Sequence, residues 1–154
     1  MSVNRFESKS NIETIAIGKQ IAQLLLPPKL LILRGELGTG KTTLVKGIAE
    51  ALDAADRDEV TSPTFTLIHE YEGKQKANGS EREVALYHLD LYRIENDRQL
   101  ETLGLDELIS DHSIVLVEWG EKFASIEKRS DGEILIEHAG GDARKITLTL
   151  KRAV

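Results

Sequence analysis

A three-layer α/β fold, with a mostly parallel central sheet and antiparallel hairpin additions, is predicted by three features of the 154-residue sequence. Leu30, Leu31, Ile32 and Leu33 form an unbroken apolar run. That pattern suits a strand buried on both faces in a parallel sheet and not an alternating, half-solvated strand. Ile114, Val115, Leu116 and Val117 form a second run of the same kind. Between the first run and the apolar positions Leu44, Val45, Ile48, Ala49 and Leu52, which recur at helical spacing, lies a short glycine-rich turn. Strand, turn and helix in this order make a βα unit.

The turn itself carries chemistry. Gly35 to Thr42 reads GELGTGKT and matches G-x-x-x-x-G-K-[ST] at every defined position. A triphosphate is wrapped by main-chain N–H groups, and Gly35, Gly38 and Gly40 leave the space and the backbone freedom that wrapping requires. The loop ends where a helix begins, so unpaired N–H groups and the positive end of the helix dipole face the anion. Lys41 adds a point charge for the β and γ phosphates. The Thr42 hydroxyl is a ligand for Mg²⁺, and Thr43, next in line, is placed to face the phosphates as well. These features make the expected fold P-loop NTPase-like.

Length and composition suit one α/β domain over residues 1–154. No apolar run approaches the length of a membrane span, and the N-terminal MSVNRFESKS lacks the apolar core of a secretory signal. The chain contains no cysteine, which excludes disulfides and thiolate metal sites and makes a cytoplasmic address the expectation. A formal net charge of −6 argues against holding nucleic acid by the overall field. Two expected loops carry local basic charge, Lys74, Lys76 and Arg82 in one and Lys122, Lys128 and Arg129 in the other. Both read first as solvated loop charge.

Ser10-Asn11-Ile12-Glu13 reads as a capping box opening a helix from Asn11 to Leu26, which Pro27-Pro28 ends. Asp53 to Glu59 is a polar connection. In Val60 to Tyr71, Phe65, Leu67 and His69 alternate with Thr66, Ile68 and Glu70 as a strand. The preceding Thr61-Ser62-Pro63-Thr64 is either a strand entry or a segment that senses the γ-phosphate. Glu72 to Glu83 reads as the polar tip of a long hairpin turning at Asn78-Gly79. Its second arm, Val84 to Leu91, puts Ala85, Tyr87, Leu89 and Leu91 on one face and Leu86, His88 and Asp90 on the other. Asn96-Asp97 caps a short helix to Leu103, stopped by Gly104, and a further turn covers Asp106 to Ile109. Glu133 to His138 and Arg144 to Leu150 form a plain antiparallel hairpin about Gly140-Gly141.

Two acidic residues stand out. Asp90 lies inside an otherwise apolar strand, a costly position unless the carboxylate is paired with Arg93 or meets a cation. Glu118 ends the second apolar run, and ligands in open α/β sheets lie outside the carboxyl ends of the strands. Glu118 therefore falls on the edge of the glycine-rich loop, where it holds Mg²⁺ or is simply a solvated strand end. Trp119 either covers this site or caps the core.

GELGTGKTT, TSPTFTL, YHLDLYR and LVEW, in this order and at these spacings, resemble the bacterial TsaE family, small P-loop ATPases required for threonylcarbamoyladenosine beside the tRNA anticodon. The resemblance runs from about Ser10 to Trp119. It implies ATP with Mg²⁺, weak hydrolysis, and work with TsaB and TsaD partners, with tRNA contact indirect or weak. The phosphate-loop roles then fall on Glu36, Leu37, Gly38, Thr39, Gly40, Lys41 and Thr42, with Thr42 as metal ligand and Lys41 and Thr43 also catalytic. Asp90 would be needed for hydrolysis, Glu118 would bind magnesium, and Ser62 to Thr66 would be switch-like. Asn11 and Arg144 are the positions nearest to those that contact the base. Two other readings compete on the residues alone. A small-molecule kinase needs an arginine-bearing lid, and the insertion Glu72 to Glu83 offers only Arg82. A nucleotide-binding switch with no tRNA role, of the guanine-reading type, carries N-K-x-D and D-x-x-G strings that do not occur here.

Overall fold

The structure is a computed structural model and describes residues 1–64, 67–77 and 79–151. A seven-stranded sheet runs in the order β1-β7-β6-β2-β5-β4-β3. Its strands are β1 (Ser2–Ser8), β2 (Lys29–Arg34), β3 (Ile68–Ala77), β4 (Ser80–Asp90), β5 (Ser113–Glu118), β6 (Gly132–His138) and β7 (Arg144–Leu150). The inner four, β6, β2, β5 and β4, are mutually parallel, and β3 and the β7–β1 pair are added antiparallel at the two sides. Both apolar runs are the expected inner strands: Leu30 to Leu33 and all of β5 are buried.

Helices cover both faces. α1 (Asn11–Leu24) and α2 (Lys41–Ala51) pack on one, where Ile21, Leu44 and Ile48 meet Leu31, Leu86 and Leu116. α3 (Asp97–Thr102), α4 (Leu105–Leu108) and α5 (Ala124–Arg129) flank the other, where Leu100, Leu105 and Ile126 meet Ile32, Leu89 and Val117. The helix after β2 and the helix after β5, two adjacent strands, thus lie on opposite faces. A crevice opens between their carboxyl ends, which is where open α/β sheets take ligands.

Several expectations need correction. Ser10 Oγ accepts from Glu13 N–H at 3.2 Å, but the Glu13 carboxylate reaches the N–H of Lys9 at 3.4 Å and not that of Ser10. α1 stops at Leu24, two residues short of Leu26, and Gln75 Nε2 donates to the carbonyls of Ala22 and Leu25 at its end, at 3.3 and 2.8 Å. The long hairpin is present, but Glu72 to Glu83 is paired strand for most of its length: β3 and β4 pair from Ile68↔Leu89 to Ala77↔Ser80. Lys74, Lys76 and Arg82 therefore sit on strands, and Lys74 lies 3.6 Å from Glu81. Lys122 lies in a 3₁₀ turn, Gly120–Lys122, and Lys128 and Arg129 in α5, with Arg129 paired to Asp106. The C-terminal hairpin is part of the main sheet, since β6 also pairs with β2 and β7 with β1. β1 was not expected at all: its burial alternates from Val3 to Ser8, but the inward Asn4 and Ser8 are polar, so the sequence shows no apolar alternation. Phe65, Thr66 and Asn78 lie outside the described residues. No helix among the described residues is long and apolar enough to cross a membrane.

α1 and α2 touch through glycines. A Cβ on Gly47 would lie 2.0 Å from Ile15 O, and one on Gly18 would lie 2.4 Å from Leu44 O. Both obstacles are backbone, so no side-chain movement relieves them. Gly47→Ala is expected to destabilise the fold by about 3 kcal/mol, the upper end of ordinary overpacking, measured as a shift in the urea midpoint with unchanged slope. On the surface of the same helix pair, Glu50 bridges Lys19 at 3.0 Å and Arg57 at 2.6 Å. The hydrogen bonds from Arg57 and then Lys19 hold its carboxyl down from 4.5 to about 2. A depressed carboxylate contributes its stability above the unfolded value and loses it as pH falls through the folded one. Glu50→Gln should therefore melt below wild type at pH 7, with the gap closing between pH 4.5 and 2.

Candidate functional site

The site starts where β2 ends. Gly35 leaves the sheet against β6, and a Cβ there would lie 2.7 Å from both Ile136 Cγ2 and Thr39 Oγ1. Glycine is what lets the loop lie this close to its neighbour. Thr39, 1% exposed, braces the turn from inside: its N–H and its hydroxyl both donate to Glu36 O, at 3.2 and 2.8 Å. Gly40, with φ of 103°, is the N-cap of α2 and supplies no side-chain cap. The first N–H groups of α2, with the positive end of its dipole, remain for an anion. Leu37 at the tip of the loop is 97% exposed.

Lys41 begins α2 and folds back into the loop. Its Nζ donates to Gly35 O at 2.7 Å and lies 3.2 Å from Glu118 Oε1. The Trp119 ring lies over it, 6.0 Å from Nζ to centroid, with Tyr92 packed against that ring at 5.2 Å. Trp119 thus covers the site. Glu118 is 5% exposed, which removes the reading of a solvated strand end. Its second oxygen, Oε2, accepts from His88 Nε2 at 2.7 Å. With Glu118 ionised, Nε2 must carry the hydrogen, and the buried Nδ1 of His88 has no partner among the described residues. Burial pushes the Glu118 carboxyl up, but the bond and charge of His88 and the charge of Lys41 outweigh it, so the group lies below its ordinary value.

Asp90 stands beside Glu118, its direct partner in the parallel β4–β5 register. Leu86 and Leu116 belong to the core beneath α1 and α2, and strand alternation puts His88, Asp90 and Glu118 on that same face, toward the loop helix. Asp90 is 4% exposed, and its Oδ1 accepts from Tyr92 N–H at 2.9 Å. That bond satisfies one of its two oxygens. Thr42 and Thr43 are half-buried in the first turn of α2. The hard oxygens of Thr42 and Glu118 are of the kind Mg²⁺ accepts, with water and phosphate oxygens in its remaining positions. Among the described residues, no group of three or more His, Cys, Asp or Glu is placed to hold a metal unaided.

Two further sequence candidates fare differently. Arg144, the first residue of β7, reaches the loop: Nε donates to Thr39 O at 2.7 Å and Nη2 to Gly38 O at 3.3 Å. Asn11 is exposed at the start of α1 and makes no hydrogen bond or ion pair to the loop among the described residues. The role of His88 was missed, although a histidine two residues before Asp90 on the same strand face was the available signal. Lys122 was read as loop charge, yet its Nζ donates to the carbonyls of Leu91, Tyr92 and Ile94 at 3.3, 2.8 and 2.9 Å. It ties the turn after Asp90 to the turn after Glu118. Beside the loop, a cavity of about 450 Å³ is bounded by Arg34, Gly35, Trp119, Glu121 and Ile136.

The family model described as "Threonylcarbamoyl adenosine biosynthesis protein TsaE" matches residues 8–146. A Bacillus subtilis protein named tRNA threonylcarbamoyladenosine biosynthesis protein TsaE is 41% identical over 89% of this chain and 79% of its own length. A protein of the same name from Aquifex aeolicus is 36% identical over 93% of each chain. Among solved structures, Bacillus subtilis YdiB aligns with a TM-score of 0.66 at 34% identity, covering 97% of this chain and 86% of its own. The glycine-rich loop, the paired strand acids and a match across nearly the whole chain lead to one conclusion: this protein belongs to the TsaE family.

Proposed function

We propose that this chain binds ATP with Mg²⁺ on the loop Glu36 to Thr43, hydrolyses it slowly, and serves threonylcarbamoyladenosine formation on tRNA in the cytoplasm together with TsaB and TsaD partners. The observation that carries the reading is the position of Lys41. One ammonium bridges the Gly35 carbonyl at 2.7 Å and the buried Glu118 carboxylate at 3.2 Å, so loop and strand end meet at a single charge.

In this reading the loop N–H groups hold the phosphates and Lys41 moves its charge onto the β and γ oxygens. Thr42 and Glu118 are the residues that hold Mg²⁺, which when bound neutralises charge developing on the phosphates. Asp90, fixed by Tyr92 N–H, orients the attacking water or accepts its proton. Thr43 adds a hydroxyl toward the phosphates. The kinase alternative loses its lid, because Glu72 to Glu83 is paired strand and Arg82 lies within β4. The acidic surface, with net charge −6, favours protein partners over direct tRNA contact.

The test is nucleotide binding and hydrolysis by the chain alone and with TsaB and TsaD. ATP should bind without partners and outcompete GTP, with slow turnover that the partner pair stimulates. Lys41→Ala, Asp90→Ala and Glu118→Ala should each lower stimulated turnover by about 10²–10³, the scale of losing one preorganised charge at a reacting centre. Stimulation that survives Glu118→Ala, or modification of tRNA by the isolated chain, contradicts the proposal.

A further inference from the structure

Among the described residues Arg144 makes four hydrogen bonds, all to main-chain carbonyls. Besides Thr39 O and Gly38 O on the glycine-rich loop, Nη1 donates to Gly141 O and Ala143 O, both at 2.8 Å. One rigid guanidinium fork therefore joins two turns that are more than a hundred residues apart in the chain. A guanidinium has five N–H groups, so little of this one remains for a ligand.

The carbonyls it grips matter because of peptide geometry. In a planar trans unit the C=O and the following N–H point in opposite directions. The shortest of the two bonds to the loop fixes the carbonyl of Thr39, and the N–H of that same unit belongs to Gly40, the N-cap of α2. Holding Thr39 O outward turns Gly40 N–H inward, to where the loop would wrap an anion. The Gly38 unit is held twice, with its carbonyl on Arg144 and its partner N–H, that of Thr39, on Glu36 O at 3.2 Å. Gly38 and Gly40, with φ of 80° and 103°, have no side chain to restrain them, and Thr39 between them is braced only toward Glu36 O. An external clamp supplies that restraint.

We infer that Arg144 is a positioning residue that holds the phosphate loop in its anion-ready shape through the Gly38 and Thr39 carbonyls, and so sets polyphosphate affinity without touching the base. The inference rests on the proposed nucleotide reading of the loop. It assigns the first residue of β7 and the Gly141–Ala143 turn a share in that affinity.

A ligand without a base separates the two ways an arginine can act. Affinities for ATP, ADP and inorganic tripolyphosphate would be measured by calorimetry on wild type, Arg144→Ala, Arg144→Gln and Arg144→Lys. Both neutral variants should weaken all three ligands by a similar factor, roughly tenfold for loss of a charge-assisted bidentate clamp. Lysine should not restore binding, since a point charge cannot bridge four carbonyls. Hydrogen exchange without ligand should speed up at the Gly40 and Lys41 amides and stay unchanged at Ile48 and Ala49, which excludes general unfolding. A loss confined to ATP and ADP, with tripolyphosphate unaffected, overturns the inference and makes Arg144 a base or ribose contact. Unchanged affinity for all three overturns it too. Wild-type protein that binds none of them overturns the nucleotide reading itself.

Discussion

A buried carboxylate at the end of β5 governs how this chain is put together. Glu118 is nearly inaccessible and its desolvation opposes the charged form. An unpaired ion in that position costs several kcal/mol. Two partners offset the cost from different elements: His88 on β4 at 2.7 Å and Lys41 on α2 at 3.2 Å. The ion is satisfied only when β4, β5 and the loop helix are all in register, so one charge ties three elements together. The sheet order makes this possible, because β5 is inserted between β2 and β4 and so meets both the loop strand and the histidine strand.

Cations recur as connectors at this edge. Lys41 joins the loop to β5, Arg144 joins the loop to the β6–β7 turn, and Lys122 joins the turn after β4 to the turn after β5. In each case the acceptors include main-chain carbonyls of segments without regular structure. Such carbonyls are the orphans that a sheet's carboxyl edge leaves behind. A lysine or arginine that takes several at once removes the penalty and fixes the turn. The consequence reaches past stability, because a chain with net charge −6 keeps these positive charges at the crevice where an anion would bind.

Much of this was legible in the residues because the signals were local. The four-residue apolar run Leu30 to Leu33 sits between two parallel neighbours, as a strand without alternation should. The Ser10 and Asn96 caps accept from the N–H groups three residues on. GELGTGKT opens a helix, and Glu118 falls on its edge. What stayed hidden depended on distant partners. β1 is nearly all polar, and its place comes from pairing with β7, more than a hundred residues away. Glu72 to Glu83 is polar because a hairpin extending beyond the inner strands has little core to face. The end of α1 is tied down by Gln75, some fifty residues on, which takes two of its last carbonyls, a partner that the prolines do not announce. His88 was assigned to the correct face. Its role needed knowledge that β4 and β5 are neighbours, which strand patterning alone does not contain.

The two acids are held at a fixed separation, and Leu67 before β3 is tied to the same edge. Asp90 and Glu118 are opposite one another in the ladder, Leu91 N–H donates to Glu118 O at 3.0 Å, and Lys122 locks the following turn. Their separation cannot change without breaking several bonds together. The hydroxyl-rich segment is attached differently. Leu67 O accepts from Asp90 N–H at 3.0 Å, Leu67 N–H donates to Pro63 O at 2.7 Å, and Thr61 O contacts His69 Nδ1 at 3.2 Å. Leu67 itself holds φ of 70°, a conformation that costs an L-residue on the order of 1–2 kcal/mol. The acids thus form one rigid pair, and Leu67 O is the point at which the chain entering β3 is bonded to it.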